Sequence, residues 1–489
     1  MTLTTTLERH LPWAAPLLAV TVTVALAAIA YRGTPRIGFD PHYYVEYAKA
    51  FRTELPHSFG TAWPFGYPLL GTAVSRTGLS VFASLIVVLA CGALGIYGLV
   101  WRPLCAAIGS RWLATGLVLG LATTAIQPIE LGAARSEIIF TLCFLAAVAT
   151  LADWPAPRAI LGAALAAVLS FAMRYAGVLT LATLGIWTIA CWPQLQVAGR
   201  RRLAIAAVAA AGAVCVGFLW LNQHVNGMAT GMVRGHGDFF ANLAPDAVDF
   251  GWGALIALST VGLRQPFAAH AAIYTIVGAA VFVAVLFLAL CRWRRPISIW
   301  SRPLALGLTV YVVGMWVLCA YDAFDRLYNA RFFLPALPLV LVLLAESVRA
   351  FPRVGSAVLM LAMAAPGVAV CVRGVSPAVS YNFTSAAAQL APRLLPGDRV
   401  GVNIHACGLS AWLDCPVTRI DDCRWQEGAQ LYRFVVVAGV ATDRTGLTYE
   451  WPDEAQAMLA DFRQTRAYRE IARWPGCVLL ERAAKARYP

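Results

Sequence analysis

The sequence is poor in charge. Only 13% of its 489 residues are Asp, Glu, Lys or Arg, whereas 60% are hydrophobic and the mean hydropathy is +0.68. A soluble globule of this length needs far more surface charge, so the composition excludes one and leaves room for a large membrane part with one small soluble domain. Lysine is nearly missing: Lys49 and Lys485 stand against 36 arginines. The basic residues do not form one run. The net charge of +13 is scattered through short loops between apolar segments, which reads as a topology signal and argues against nucleic acid as a partner. Neither a CxxC pair nor HExxH is present, so nothing in the spacing points to zinc. Internal repeats, heptad arrays and low-complexity tracts are absent too.

What is present is a series of apolar segments long enough to span a bilayer: 12–31, 79–101, 112–128, 136–152, 158–173, 175–192, 202–221, 269–291, 303–321, 332–348 and 354–372, about eleven in all. The first lacks a clear small-residue cleavage site after it and reads as a retained span. With the N-terminus in the cytoplasm, the inner loops hold Arg200, Arg201 and Arg202 and the Arg292–Arg302 group, as the positive-inside rule requires. From Arg373 onward charges become frequent. Strands are expected at Arg399–Asn403 and Phe434–Ala438, a helix at Asp453–Gln464, and a hairpin from Tyr468–Trp474 and Cys477–Glu481 through Pro475-Gly476. The chain thus divides into a helical polytopic membrane part, 1–372, and a small α/β domain, 373–489, on the outer side. Eight of the twelve cysteines lie in or beside apolar segments as small hydrophobes. Cys407, Cys415, Cys423 and Cys477 lie in the polar tail, where an oxidising compartment permits one or two disulfides of open pairing.

Two outer loops are long. In the first, Pro41–Leu55 reads as a helix lying in the membrane interface, followed by an aromatic, Pro- and Gly-rich turn region from Trp63 to Pro68. The second, Asn222–Ala268, reads as a flexible or closely packed loop. Charged groups at span ends need a reason. Under this topology Asp40, Glu130, Arg135, Glu137, Arg174, Arg234, Asp322, Asp325, Arg326 and Arg331 gather on the outer side. Acids beside arginines suit a site that handles a phosphate and a hydroxyl, because guanidinium groups fork onto phosphate and a carboxylate accepts a hydroxyl proton. Blander readings stand beside this one. Asp40 before Pro41 suits an N-cap, Glu137 suits a helix N-terminus, Glu130 reads as a loop residue, Arg174 as a snorkelling side chain and Arg331 as an interface anchor. His42, His57, His224 and His236 show no ligand spacing.

Five stretches give the sequence a resemblance to the GT-C superfamily of membrane glycosyltransferases, nearest to bacterial relatives of protein O-mannosyltransferases and the lipid A aminoarabinose transferases. They are Asp40 with Tyr43 and Tyr44, Trp63 to Pro68, Ser136-Glu137, Arg174 to Gly177, and Arg331 to Pro338. The resemblance spans about residues 12–350. It implies a polyprenyl-phosphate sugar as donor, used from the outer leaflet of a bacterial inner membrane, and a glycan, lipid or protein acceptor. Asp40 then acts as general base and Glu137 as a second acid, where many relatives carry Asp. Arg174, Arg331 and Arg234 hold the donor phosphate, and His42, Tyr43, Tyr44, Trp63 and Tyr67 line the substrate pocket. The lysines that bind phosphate in some relatives have no counterpart here. A divalent cation stays open as a helper; no other cofactor is implied. The rival readings are a transporter or flippase of lipid-linked sugars and a non-enzymatic envelope assembly protein. Against the first, the acids gather at one face rather than at the bilayer midplane.

Overall fold

The computed structural model describes residues 3–31, 39–53, 64–124, 126–230, 238–259, 271–322, 329–373, 383–420, 432–441, 449–474 and 476–483. The chain is mostly helical. Apolar runs form α1 (Leu3–Ala30), α4 (Val81–Ile108), α10 (Ala198–Asn226), α12 (Ala271–Arg294), α13 (Ser301–Asp322) and α16 (Pro352–Arg373). Among the described residues six helices are long and apolar enough to cross a membrane, or seven if α5 (Arg111–Thr123) and α6 (Ile126–Gly132), bent by 52°, count as one broken span. That is fewer than the eleven expected segments. The difference lies mainly in shorter helices: α7 (Glu137–Thr150), α8 (Pro157–Met173), α9 (Val178–Ala190) and α15 (Leu337–Ser347), the last preceded by the single turn α14 (Asn329–Phe332).

The first outer stretch forms α2 (Phe39–Thr53) and α3 (Gly66–Ser75). The expected helix is there, but it does not lie open at an interface: Tyr44, Val45 and Ala48 are buried, and even Lys49 is 7% exposed. The expected turn at Trp63–Pro68 runs straight into α3. Tyr67, in its first turn, is fully buried.

The loop reading of 222–268 is overturned. Phe239–Ser259 forms a 21-residue helix, α11, that packs along α12 and also against α13 and α14. The glycines that suggested a loop precede the helix, and its two aspartates masked its apolar face. Close approach makes the crossing tight. A Cβ on Gly251 would collide with the carbonyl of Gly278, and one on Gly278 with the carbonyl of Val248. Beside it, Trp252 Nε1 donates to the Tyr274 carbonyl at 2.6 Å and the two rings stack with centroids 5.0 Å apart.

After α16 comes α17 (Thr384–Leu390). The remaining chain builds a five-stranded sheet in the order β2-β1-β3-β7-β6, from β1 (Val400–Val402), β2 (Val417–Arg419), β3 (Phe434–Ala438), β6 (Tyr468–Trp474) and β7 (Cys477–Arg482); β4 (Val440–Ala441) and β5 (Tyr449–Glu450) pair separately. β2, β1 and β3 run parallel, and β3, β7 and β6 antiparallel. β3 is buried on both faces. Phe434, Val436 and Ala438 enter one apolar cluster, while Val435 and Val437 enter the other, with α18 (Asp453–Thr465). The strand and hairpin expectations therefore hold. Among the described residues no disulfide joins Cys407, Cys415 and Cys477 to one another, and Cys423 lies outside the described residues.

Gly251→Val is expected to destabilise the protein by about 1–3 kcal/mol, the usual cost of overpacking. Gly185→Ala, in α9 with nothing within 4 Å of the added Cβ, is expected to leave it unchanged or slightly firmer. Thermal melts in detergent check both; equal melting temperatures for the two variants would discard the close-crossing account.

Candidate functional site

The site begins at a sharp reversal between α6 and α7. Ala134 adopts φ +56, a left-handed backbone that costs a non-glycine residue about 1–3 kcal/mol. Its carbonyl accepts the Tyr67 hydroxyl at 3.2 Å. This turn sets Arg135, Ser136 and Glu137 in a row, with Glu137 in the first turn of α7, where a carboxylate suits the positive end of the helix.

Glu137 is 2% exposed. Its Oε1 lies 2.7 Å from an Arg174 guanidinium nitrogen and 3.8 Å from Arg331 Nε. Both arginines stand where a helix breaks. Arg174 is the extended residue that ends α8, before a single 3-10 turn at Tyr175–Gly177. Gly177 closes that turn by donating to the Arg174 carbonyl at 2.8 Å, and a Cβ there would strike the backbone of Phe171, which is why glycine ends the Arg-Tyr-x-Gly stretch. Arg331 sits in α14. The Phe332 ring lies beneath both cations, 4.9 Å from Arg331 and 6.0 Å from Arg174. The Phe332 carbonyl is fixed by the Tyr311 hydroxyl at 2.7 Å.

Ser136 Oγ, fully buried, joins the cluster to α2. It lies 2.8 Å from the Tyr44 hydroxyl and accepts from Arg174 at 3.3 Å. Tyr44 packs edge-on against Tyr67, with centroids 5.1 Å apart. A second pair completes the group. Glu130 Oε1 binds Arg135 at 2.8 Å, and Glu130 lies within electrostatic reach of Glu137 and Arg331. Two acids and three arginines leave one positive charge in excess, so the arrangement is built to take an anion.

The opposite face of α2 meets the C-terminal segment. Glu46 Oε2 accepts from the Val417 amide at 2.8 Å; Lys49 Nζ donates to Glu46 Oε1 at 2.8 Å and to the Cys415 carbonyl at 3.1 Å. Burial raises the Glu46 carboxyl, with Lys49 opposing. Burial also drives His42 down to about 3, helped by the Lys49 and Arg419 charges and opposed by a hydrogen bond with the Cys407 backbone.

The structure therefore brings Glu137, Arg174, Arg331 and Tyr44 together, with Tyr67 holding the turn. His42 faces the C-terminal segment instead, and Tyr43 packs between His42, edge to face, and Tyr47, at a tilt. Asp40 lies in the first turn of α2, one helical turn before Tyr44. Its side chain and that of Asp322 lie outside the described residues, as do Trp63, Arg234, Asp325 and Arg326. Sequence reasoning left Glu130 as a loop residue. It is a 1% exposed helical residue, and the signal that finds it is Arg135 five positions on. Ser136, Phe332 and Tyr311 carried no charge to mark them. Among the described residues no group of three or more His, Cys, Asp or Glu converges as a metal site.

No protein-family profile and no curated protein matches the sequence. Among solved structures the chain is similar to ArnT from Cupriavidus metallidurans bound to undecaprenyl phosphate, with a TM-score of 0.59 at 12% identity, covering 97% of this chain and 98% of that one. It also matches the apo state of ArnT (TM-score 0.48, 15% identity, 97% and 98% covered) and the archaeal oligosaccharyltransferase AglB from Archaeoglobus fulgidus in complex with an inhibitory peptide and a dolichol-phosphate (0.48, 13%, 88% and 70%). The first of these carries the fold from end to end. The resemblance drawn from the motifs is met by that match at the level of fold alone.

His42 yields a pH prediction. Its pKa is about 3 when folded and about 6.5 when unfolded, so below pH 6.5 the unfolded chain binds the extra proton. Its contribution is fully present above about pH 6.5 and is lost as pH falls toward 3, at up to about 1.4 kcal/mol per pH unit. Melting temperature against pH, from 7.5 to 4.5, is expected to fall less steeply for His42→Gln than for wild type. Parallel profiles would show that His42 is not buried in neutral form.

Proposed function

We propose that this chain is a glycosyltransferase that moves a sugar from a polyprenyl-phosphate donor to an acceptor hydroxyl at the outer face of a bacterial inner membrane. One observation carries the reading. A buried cluster with one excess positive charge sits in a fold shared with ArnT, which was solved with undecaprenyl phosphate. Arg174 and Arg331, with Arg234, hold the donor phosphate. Glu137 is the second acid and sets the two guanidinium groups side by side. Asp40 is the general base. It stands one turn from Tyr44, whose hydroxyl reaches Ser136 beside Glu137. Tyr43, Tyr44, Tyr67 and Trp63 frame the substrate region.

In the reaction the acceptor oxygen attacks the anomeric carbon and its proton passes to Asp40. The bond between that carbon and the phosphate oxygen breaks, and the prenyl phosphate leaves with the bonding electrons. A leaving group that is already an anion needs no general acid. The charge that grows on it falls on arginines fixed in advance by Glu137 and Phe332, which is where preorganised electrostatics lower a barrier. Residues 1–372 form the catalytic membrane part, with the N-terminus cytoplasmic, and residues 373–489 form the outer domain. The sugar is a hexose or pentose, and the acceptor a glycan, lipid or protein.

The full-length protein in lipid nanodiscs, given undecaprenyl-phosphate sugars and an envelope extract as acceptor, tests this. Arg174→Ala and Arg331→Ala are expected to lower turnover about 10²–10³-fold, the range for a lost charge-stabilising group. Asp40→Asn is expected to lose turnover while still binding undecaprenyl phosphate. Undiminished transfer by Asp40→Asn and Glu137→Gln would return the protein to the flippase or assembly readings.

A further inference from the structure

We propose that Gln127 and Glu130, on one face of α6, form the subsite for the hydroxyls of the donor sugar. The inference rests on the transferase reading above. Gln127 is fully buried, and among the described residues neither its amide oxygen nor its amide nitrogen has a hydrogen-bond partner; Glu130 is 1% exposed, and its Oε2 has none there either, because Arg135 takes Oε1. A buried donor or acceptor left unpaired forfeits its whole hydration, so an apolar side chain at 127 would be the more stable choice if packing alone were at issue.

The placement is directional. Residues 127 and 130 are three apart and share a face of the helix. The other face is taken by α1, where Tyr31 packs on Gly132 and its hydroxyl donates to the Ile129 carbonyl at 3.0 Å. The face carrying Gln127 and Glu130 leads to the phosphate cluster, since Glu130 is within electrostatic reach of both Glu137 and Arg331.

The chemistry offered fits adjacent hydroxyls. The Gln127 oxygen and Glu130 Oε2 accept from two O–H groups, while the Gln127 NH2 donates to a sugar oxygen.

Two probes test this on the full-length protein in nanodiscs: undecaprenyl phosphate, and the same lipid phosphate carrying a hexose or pentose. Wild type is expected to bind the sugar-carrying donor about tenfold more tightly than undecaprenyl phosphate. Gln127→Met is expected to abolish that gain while leaving affinity for undecaprenyl phosphate within about twofold. A variant that keeps the gain would overturn the subsite, whose polar atoms then serve only bound water. Failure of wild type to bind undecaprenyl phosphate at all would strike the transferase reading itself.

Discussion

The structure depends on one electrostatic constraint: a carboxylate taken out of water must meet cations where it is buried. Removing a charge from water costs several kcal/mol even after relaxation, and only close partners offset it. Glu137 finds them in Arg174 and Arg331, which come from two distant parts of the chain. Both arginines occupy helix breaks, so the interruptions of the membrane helices and the composition of the site are one feature. An unbroken helix through residue 174 would leave no extended residue to direct a guanidinium at the start of α7. Among the described residues the cluster that results carries one arginine more than it has acids.

α2 carries this constraint outward. Its Tyr44 face is tied to Ser136, and the carbonyl of Ala48 accepts the Thr72 hydroxyl at 2.9 Å. Its Glu46 and Lys49 face is tied to the backbone at Val417 and Cys415. In a chain that uses arginine almost everywhere, the only lysine among the first 484 residues stands at this joint. A compact ammonium with three donors fits between a carboxylate and a carbonyl where a planar fork would not. The C-terminal sheet is therefore a wall against α2 and not a free appendage.

Where local pattern and environment agree, the sequence is legible. α1, α4, α10, α12 and α13 follow from apolar length alone, and β3 with its neighbouring hairpin follows from strand composition and a turn signal. Glu137, Arg174 and Arg331 stand out because a charge inside an apolar run has few explanations. α11 was hidden because Asp246 and Asp249 interrupt its apolar run, although both are buried in the folded chain. Glu130 was hidden because an acid and an arginine five apart read as any polar loop does. The surroundings of His42 were hidden because what covers it, around Cys407 and Arg419, belongs to the far end of the chain.

The contact between Lys49 and the Cys415 carbonyl joins positions 366 residues apart. A ribosome adding about 5–20 residues per second needs roughly 20 to 70 seconds to supply the second partner after the first. Through that interval α2 has its helical neighbours but lacks the backbone groups that hold Glu46 and Lys49. A chain cut short near its end therefore leaves both side chains without the partners they have in the finished fold.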